Sequence, residues 1–275
     1  MPASPNRDSS NEVRRGAAIS VLIPAYNEAA TVGLVLEHLL RLGDLIEEII
    51  VVDDGSTDDT AQIVSEWEQC DRRIRLIRQT PNLGKTAAIA RAIAEARGAV
   101  VVIQDADLEY NPDDLPHLTA PILRGDADVV YGSRFTLPQS RRGYLWHYWA
   151  NRGLTHISNA LSGYRITDVE TCYKAFRADL IKPLKITSRR FGIEIEITAM
   201  LARTPARLME TPVHYSARSF REGKKIRFID GLWAVYYLLY YNLIAPWRPD
   251  SRAYFRRAAE ILRRPLTVAA SAPEK

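Results

Sequence analysis

Four short apolar segments, each closed by a polar loop and followed by a helical stretch, constrain this chain more than any other feature. Residues 18–23 (AISVLI), 48–52 (EIIVV), 74–78 (IRLIR) and 99–103 (AVVVI) are rich in β-branched side chains. Between them, 29–42, 57–68 and 85–97 carry apolar residues at helical spacing. Alternation of strand and helix at roughly 25-residue spacing predicts βαβ units and a mostly parallel sheet. Three of the four strands are nearly continuous apolar runs, as burial on both faces requires. The remainder is mixed. Helices are expected at 112–123, 144–161, 192–202 and 228–243, and strands at 128–131, 172–176 and 207–214, with one more helix in the arginine-rich segment that follows. The expected architecture is therefore α/β, a Rossmann-like mixed, mostly parallel sheet flanked by helices, with C-terminal amphipathic helices. No internal repeat or linker divides it. The expected division is a leader at 1–16 and a tail at 266–275 read as disordered, a catalytic unit over 17–226, and interfacial helices over 227–265.

Composition excludes several classes. With 275 residues, 47% hydrophobic, the chain buries a core without staples. Cys70 and Cys172 are its only cysteines, too few for a disulfide framework or a cysteine-rich zinc module. The five histidines have no paired spacing, so a histidine metal site is unsupported. The first 16 residues lack an apolar core, and no run reaches about 20 apolar residues, which predicts neither a signal peptide nor a membrane span. The pI of 9.0 invites a nucleic-acid reading. Residues 248–275, however, hold seven basic and three acidic residues, a net +4 that equals the whole chain's charge. A basic tail on a neutral body argues against nucleic acid and suits an anionic membrane surface. The expected location is cytoplasmic, at the inner face of a membrane.

Ligands of open α/β sheets bind at the carboxyl ends of the strands. Three loops there are polar and acidic: Pro24-Ala25-Tyr26-Asn27-Glu28, Asp53-Asp54-Gly55-Ser56 and Gln104-Asp105-Ala106-Asp107. Single turns of this kind are ordinary; three at one edge are not. The Asp105/Asp107 pair concentrates negative charge after an apolar strand. Carboxylates alone select hard cations, Mg²⁺ or Mn²⁺, which take substrate phosphate oxygens as further ligands. Gly84-Lys85-Thr86 resembles the end of a phosphate-binding GxxxxGK[ST] loop, but Gln79 stands where its first glycine belongs, so that motif fails. Lys85 is left as either a phosphate contact or an exposed lysine at a helix start.

Together these residues carry a resemblance. The stretches VLIPAYNE (21–28), VVDDGSTD (51–58), NLGK (82–85), DADL (105–108), GSRF (132–135) and TDVETCYK (167–174) resemble family 2 glycosyltransferases of the GT-A fold. FGIEIE (191–196) and SARSFREGKK (216–225) are similar to the polyprenyl-phosphate sugar synthases, the dolichol-phosphate mannose synthase type. The resemblance spans about 20–242. It implies that Pro24, Ala25, Tyr26 and Glu28 line a nucleotide-sugar pocket, that Asp53 and Asp54 touch base or ribose, and that Lys85, Asp105, Ala106, Asp107 and Arg134 also bind the nucleotide sugar. It further implies that Asp105, Asp107 and Glu109 hold the metal, and that Asp107, Arg134, Arg218 and Lys224 carry catalysis. Lys174 stands where many relatives have arginine.

The implied donor is a nucleoside-diphosphate sugar and the implied acceptor a polyprenyl phosphate. Such a phosphate is already anionic, so it needs no strong base; cations must instead bring two anions together. Arg134, Arg218 and Lys224 are the candidates, and direct displacement would give a β-linked product from an α-linked donor. Glu194 and Glu196 are first-turn charges of a helix, with a site role open for Glu196. The aromatic clusters 144–149 and 233–247, the latter beside six arginines in 248–264, fit either a core or a membrane interface. A non-lipid acceptor, and a catalytically silent regulatory protein of the same fold, stay open.

Overall fold

The structure is a computed structural model that describes residues 19–136, 145–189, 192–217 and 228–266. The expected leader, nearly all of the expected tail, Arg218 and Lys224 lie outside the described residues. Seven strands form one sheet in the order β3-β2-β1-β4-β6-β5-β7. They are β1 (Ile19–Ala25), β2 (Ile46–Asp53), β3 (Ile74–Arg78), β4 (Val100–Ile103), β5 (Val129–Ser133), β6 (Lys174–Arg177) and β7 (Leu208–Pro212). The helices are α1 (Val32–Arg41), α2 (Thr60–Cys70), α3 (Lys85–Glu95), α4 (Leu115–Leu123), α5 (Leu145–Ser162), α6 (Ala178–Ile181), α7 (Ile193–Leu201), α8 (Phe228–Leu239) and α9 (Pro249–Leu262). A wider helical turn, Tyr240–Ile244, continues α8.

β1, β2, β3 and β4 are parallel, as the alternation predicts. The apolar runs of β1, β2 and β4 are buried almost throughout, whereas β3, IRLIR at the end of the sheet, buries only Ile74 fully. Helix α1 buries Val32, Val35, Leu36 and Leu39, one stripe at helical spacing. The alanine-rich α3 likewise buries Ala88, Ile89, Ala92 and Ile93 against the sheet.

β6 departs from this pattern. It runs antiparallel to β4 on one side and to β5 on the other, while β5 and β7 are parallel. The carboxyl ends of six strands therefore lie at one edge, and the amino end of β6 arrives at the same edge. Residues 168–173, which enter β6, join the loops that leave the other strands.

Behind that edge, Asp128 ties the second half of the sheet together. Its carboxylate accepts Arg207 Nε (3.0 Å), Nη2 (3.2 Å) and the Arg207 amide (3.0 Å), and faces Arg177 Nη1 at 3.5 Å. Burial would push this carboxyl up, but the hydrogen bonds and charges of the two arginines outweigh burial and hold it below the ordinary carboxylate value. A depressed folded value means stabilisation that is present above the unfolded carboxyl's range near pH ~4 and is lost as pH falls through the folded value. Urea unfolding from pH 7 down to pH 2 is expected to show this loss, and Asp128→Asn to remove that share of the acid dependence.

The C-terminal helices pack back on the body. Ala234 and Leu238 of α8 pack with Ile195 of α7, and Tyr241 is buried. Gly192 permits this approach: a Cβ there would stand 2.6 Å from the Tyr237 ring. α9 starts on Pro249, a residue preset for the first helical turn, and buries Tyr254 and Ala258. Among the described residues no helix is long and apolar enough to cross a membrane.

Candidate active site

The first two loops are stapled to each other. The Asn27 side chain, on a residue in the left-handed region (φ 52°), accepts the Thr57 amide at 2.8 Å. The Asn27 amide donates to Ser56 Oγ (2.9 Å), the Glu28 amide to Thr60 Oγ1 (2.8 Å) and the Ala29 amide to Asp58 Oδ2 (3.1 Å). Thr31 Oγ1 then reaches the Ala106 carbonyl at 2.9 Å, joining the β1 loop to the loop after β4. Pro24, Ala25, Tyr26 and Glu28 are thereby fixed beside Asp105-Ala106-Asp107.

Asp54 spends its carboxylate inside the protein. It accepts Gln79 Nε2 (2.6 Å) and the amides of Leu83 (2.8 Å) and Gly84 (2.7 Å). It thus shapes the 79–84 loop that leads into α3. Gly55 makes room: its φ is +74°, and a Cβ would stand 3.2 Å from the Asn82 amide. Asp53, also buried, accepts the Ser56 amide at 3.3 Å.

That loop delivers Lys85 to the centre of the edge, not to solvent. Its ammonium lies 2.9 Å from Asp105 Oδ1, 2.8 Å from Cys172 Sγ and 3.5 Å from Glu194 Oε1. Burial would lower the lysine's pKa, but Asp105, Cys172 and Glu194 outweigh it and keep the ammonium charged. The Cys172 thiol donates to Asp105 Oδ1 at 3.0 Å. Burial, reinforced by Asp105, pushes that thiol up.

Asp107 is 8% exposed and accepts the Glu109 amide at 3.0 Å. Glu109 turns elsewhere. Its Oε2 accepts the Tyr215 hydroxyl (2.9 Å) and its carbonyl the Ser216 amide (2.8 Å), which hooks the segment after β7 onto this loop. Among the described residues no three His, Cys, Asp or Glu side chains gather where they could hold a metal, and Glu109, expected beside Asp105 and Asp107, is engaged by Tyr215. An all-oxygen pair, Asp105 and Asp107, still fits an ion that completes its shell with substrate and water oxygens.

Arg134, leaving β5, forms a two-point pair with the fully buried Asp168, Nε to Oδ2 at 2.7 Å and Nη2 to Oδ1 at 2.8 Å. Its guanidinium sits 5.1 Å over the Tyr215 ring. Burial would lower its pKa; Asp168 outweighs that, and the charge is retained. Lys174 does not reach the edge as a cation. It is fully buried and donates to the carbonyls of Val169 (2.9 Å) and Thr171 (2.5 Å), fixing the turn that carries Glu170.

Of the first-turn acids of α7, it is Glu194 that faces Lys85. Glu196 accepts the amides of Thr187 (2.8 Å) and Ser188 (2.7 Å) and closes a loop instead. Asp168, Glu170 and Cys172 belong to the same edge and were not among the predicted site residues. The signal was there: Asp168 and Glu170 repeat the spacing of Asp105 and Asp107, but ahead of a strand instead of behind one.

The family model for glycosyl transferase family 2 matches residues 20–184, more than half of the chain. The chain belongs to this family. The fold agrees: the glucosyl-3-phosphoglycerate synthase of Mycobacterium tuberculosis, solved with Mn²⁺, uridine diphosphate and phosphoglyceric acid, superposes with a TM-score of 0.65 at 24% identity, over 85% of this chain and 81% of that one. The same enzyme is also solved with Mg²⁺ and uridine diphosphate. The architecture is thus the GT-A fold of glycosyltransferases. Among curated proteins, an undecaprenyl-phosphate mannosyltransferase of Micrococcus luteus is 28% identical over 83% of this chain and 96% of its own length. An undecaprenyl-phosphate 4-deoxy-4-formamido-L-arabinose transferase of Enterobacter sp. is 29% identical over 75% of this chain, which spans 62% of that protein.

Proposed function

We propose that this family 2 glycosyltransferase moves a hexose from a nucleoside-diphosphate sugar to a polyprenyl phosphate at a membrane surface, with inversion at the anomeric carbon. The observation that carries the reading is the meeting of Asp105, Asp107, Lys85 and the Arg134–Asp168 pair at one sheet edge. The curated relatives, both named as undecaprenyl-phosphate sugar transferases, support the acceptor. Pro24, Ala25, Tyr26, Glu28 and Asp53 line the nucleotide side, with Asp54 setting the loop beneath. Asp105 and Asp107 would hold Mg²⁺ or Mn²⁺, which when bound neutralises the donor diphosphate.

An acceptor phosphate oxygen forms the new bond to the anomeric carbon as the bond from that carbon to the diphosphate breaks, and its electron pair leaves on the nucleoside diphosphate. The acceptor already bears its charge, so the chain supplies cations and no strong base. Arg134 contributes one, and Arg218 and Lys224 are assigned the same task. The catalytic unit is 17–226.

Residues 227–265 form the lipid-facing surface. α8 and the turn after it bury one side and expose Leu232, Trp233, Tyr236, Leu239, Leu243 and Ile244; Trp247 follows, 71% exposed. Arg252 stacks on Trp247, 5.5 Å from the ring centre, and Arg256 and Arg257 are exposed beyond it. An apolar strip beside arginines suits an anionic leaflet. The triple change Trp233→Ala, Tyr236→Ala and Trp247→Ala is expected to weaken binding to anionic vesicles roughly 100-fold in a sedimentation assay, since each aromatic loses about 1 kcal/mol of interfacial burial.

Isothermal titration with GDP-mannose, UDP-glucose and UDP-N-acetylglucosamine, with and without Mn²⁺, tests the donor. Product analysis with a polyprenyl phosphate tests the acceptor. Metal-dependent binding of one donor and a β-linked lipid product are expected; silence across a wide nucleotide panel would favour a regulatory protein of this fold.

A further inference from the structure

At the sheet edge, two carboxylate oxygens lack hydrogen-bond partners among the described residues. Glu170 Oε1 and Glu194 Oε2 are sealed from solvent, and neither has a partner among the described residues. Glu194 is 6% exposed, and its other oxygen faces Lys85, which itself touches Asp105. Glu170 is set in a rigid turn. Lys174 holds the carbonyls on either side of it, Arg134 holds Asp168 two residues before, and Cys172 two residues after bonds Asp105.

A buried acceptor without a donor costs stability, and glutamine in either place would cost less. Such a departure from what folding alone favours marks a binding site. The missing partner must donate hydrogen bonds and must not be anionic, because two carboxylates repel an anion. It must also sit one side chain away from Asp105. Burial, with Glu194 second, holds the Glu170 carboxyl up at about 7.

We propose that Glu170 and Glu194 together bind hydroxyl groups of the transferred sugar and thereby select the donor by the hydroxyls it carries. The proposal rests on the reading that Asp105 and Asp107 hold the donor diphosphate, since the sugar then lies beside them. A site built to accept hydrogen bonds discriminates strongly, because a donor lacking the hydroxyl leaves buried oxygens unpaired.

The test is isothermal titration of the whole chain in Mn²⁺ with UDP-glucose and GDP-mannose, each compared with UDP or GDP alone. The readout is the ratio of sugar-nucleotide to nucleoside-diphosphate affinity, which cancels any effect passed through Lys85. Glu170→Gln and Glu194→Gln are each expected to lower that ratio about tenfold or more. Deoxy forms of the bound donor are expected to lose a similar factor in the wild type, and no further factor in the variant that faces the missing hydroxyl. Glu170→Gln is also expected to raise the melting temperature, whereas a merely structural glutamate would lower it on replacement. Unchanged ratios in both variants would overturn the proposal and assign these oxygens to water. Tighter binding of an amino-sugar donor than of its hydroxyl counterpart would overturn it in favour of an ammonium. Failure of the wild type to bind UDP or GDP would instead sink the donor-site reading, and this proposal with it.

Discussion

On the proposed function, Asp107→Ala is expected to lower kcat/KM by about 10³-fold or more, because a group that held a cation against the leaving diphosphate would supply several kcal/mol of transition-state stabilisation. Alanine also removes the acceptor for the Glu109 amide, which shapes the loop. Asp107→Asn separates the two effects. It retains an oxygen for that amide but no charge, so its melting temperature should match the wild type while activity falls nearly as far. A titration of rate against Mn²⁺ completes the comparison, with saturation moving to higher metal. An asparagine variant that kept a tenth of the activity at the wild-type metal requirement would remove Asp107 from the reaction.

Asp168→Ala has the largest expected effect on stability. It strips the partner from a guanidinium that is almost wholly buried, and an uncompensated buried charge costs about 3–5 kcal/mol. For a chain of this size that lowers the melting temperature by roughly 5–9 °C. Activity should fall as well, since Arg134 is then free to leave the edge. Arg134→Ala strands the opposite charge and is expected to cost a similar amount. The double variant should cost clearly less than the two single ones added, because it leaves no charge behind. Additive losses measured by urea unfolding would mean that the pair is not the unit described here.

The alternation of strand and helix was legible because burial on both faces leaves a nearly unbroken apolar run, and β1, β2 and β4 follow it. The direction of β6 was not legible. An apolar strand reads the same whichever way it runs, and only its neighbours decide. That one ambiguity hid Asp168, Glu170 and Cys172, whose place at the edge depends on β6 running backwards. Lys85 was legible as a candidate, but not its pairing with Asp105, which follows from the loop that Asp54 shapes. Asp54 itself carried the family's pattern while its oxygens went to the Gln79 side chain and two backbone amides, a use no spacing reveals. Glu194 and Glu196 lie two apart on a helix, so they point to nearly opposite sides, and the sequence has no mark of which side faces the site. The aromatic helix was both things at once. Tyr241 and Leu238 went to the core, and Trp233 and Tyr236 to the surface.

The reversed strand also has a consequence for biosynthesis. On the ribosome, β1 to β4 emerge well before β6, so Val100–Ile103 has no neighbour on its far side until residues 174–177 arrive. An unpaired strand of four consecutive buried aliphatic residues is a template for association between nascent chains. Translation arrest or proteolytic truncation before residue 174 should therefore yield aggregates, not a smaller nucleotide-binding fragment, and the catalytic edge is among the last parts of the molecule to come into being.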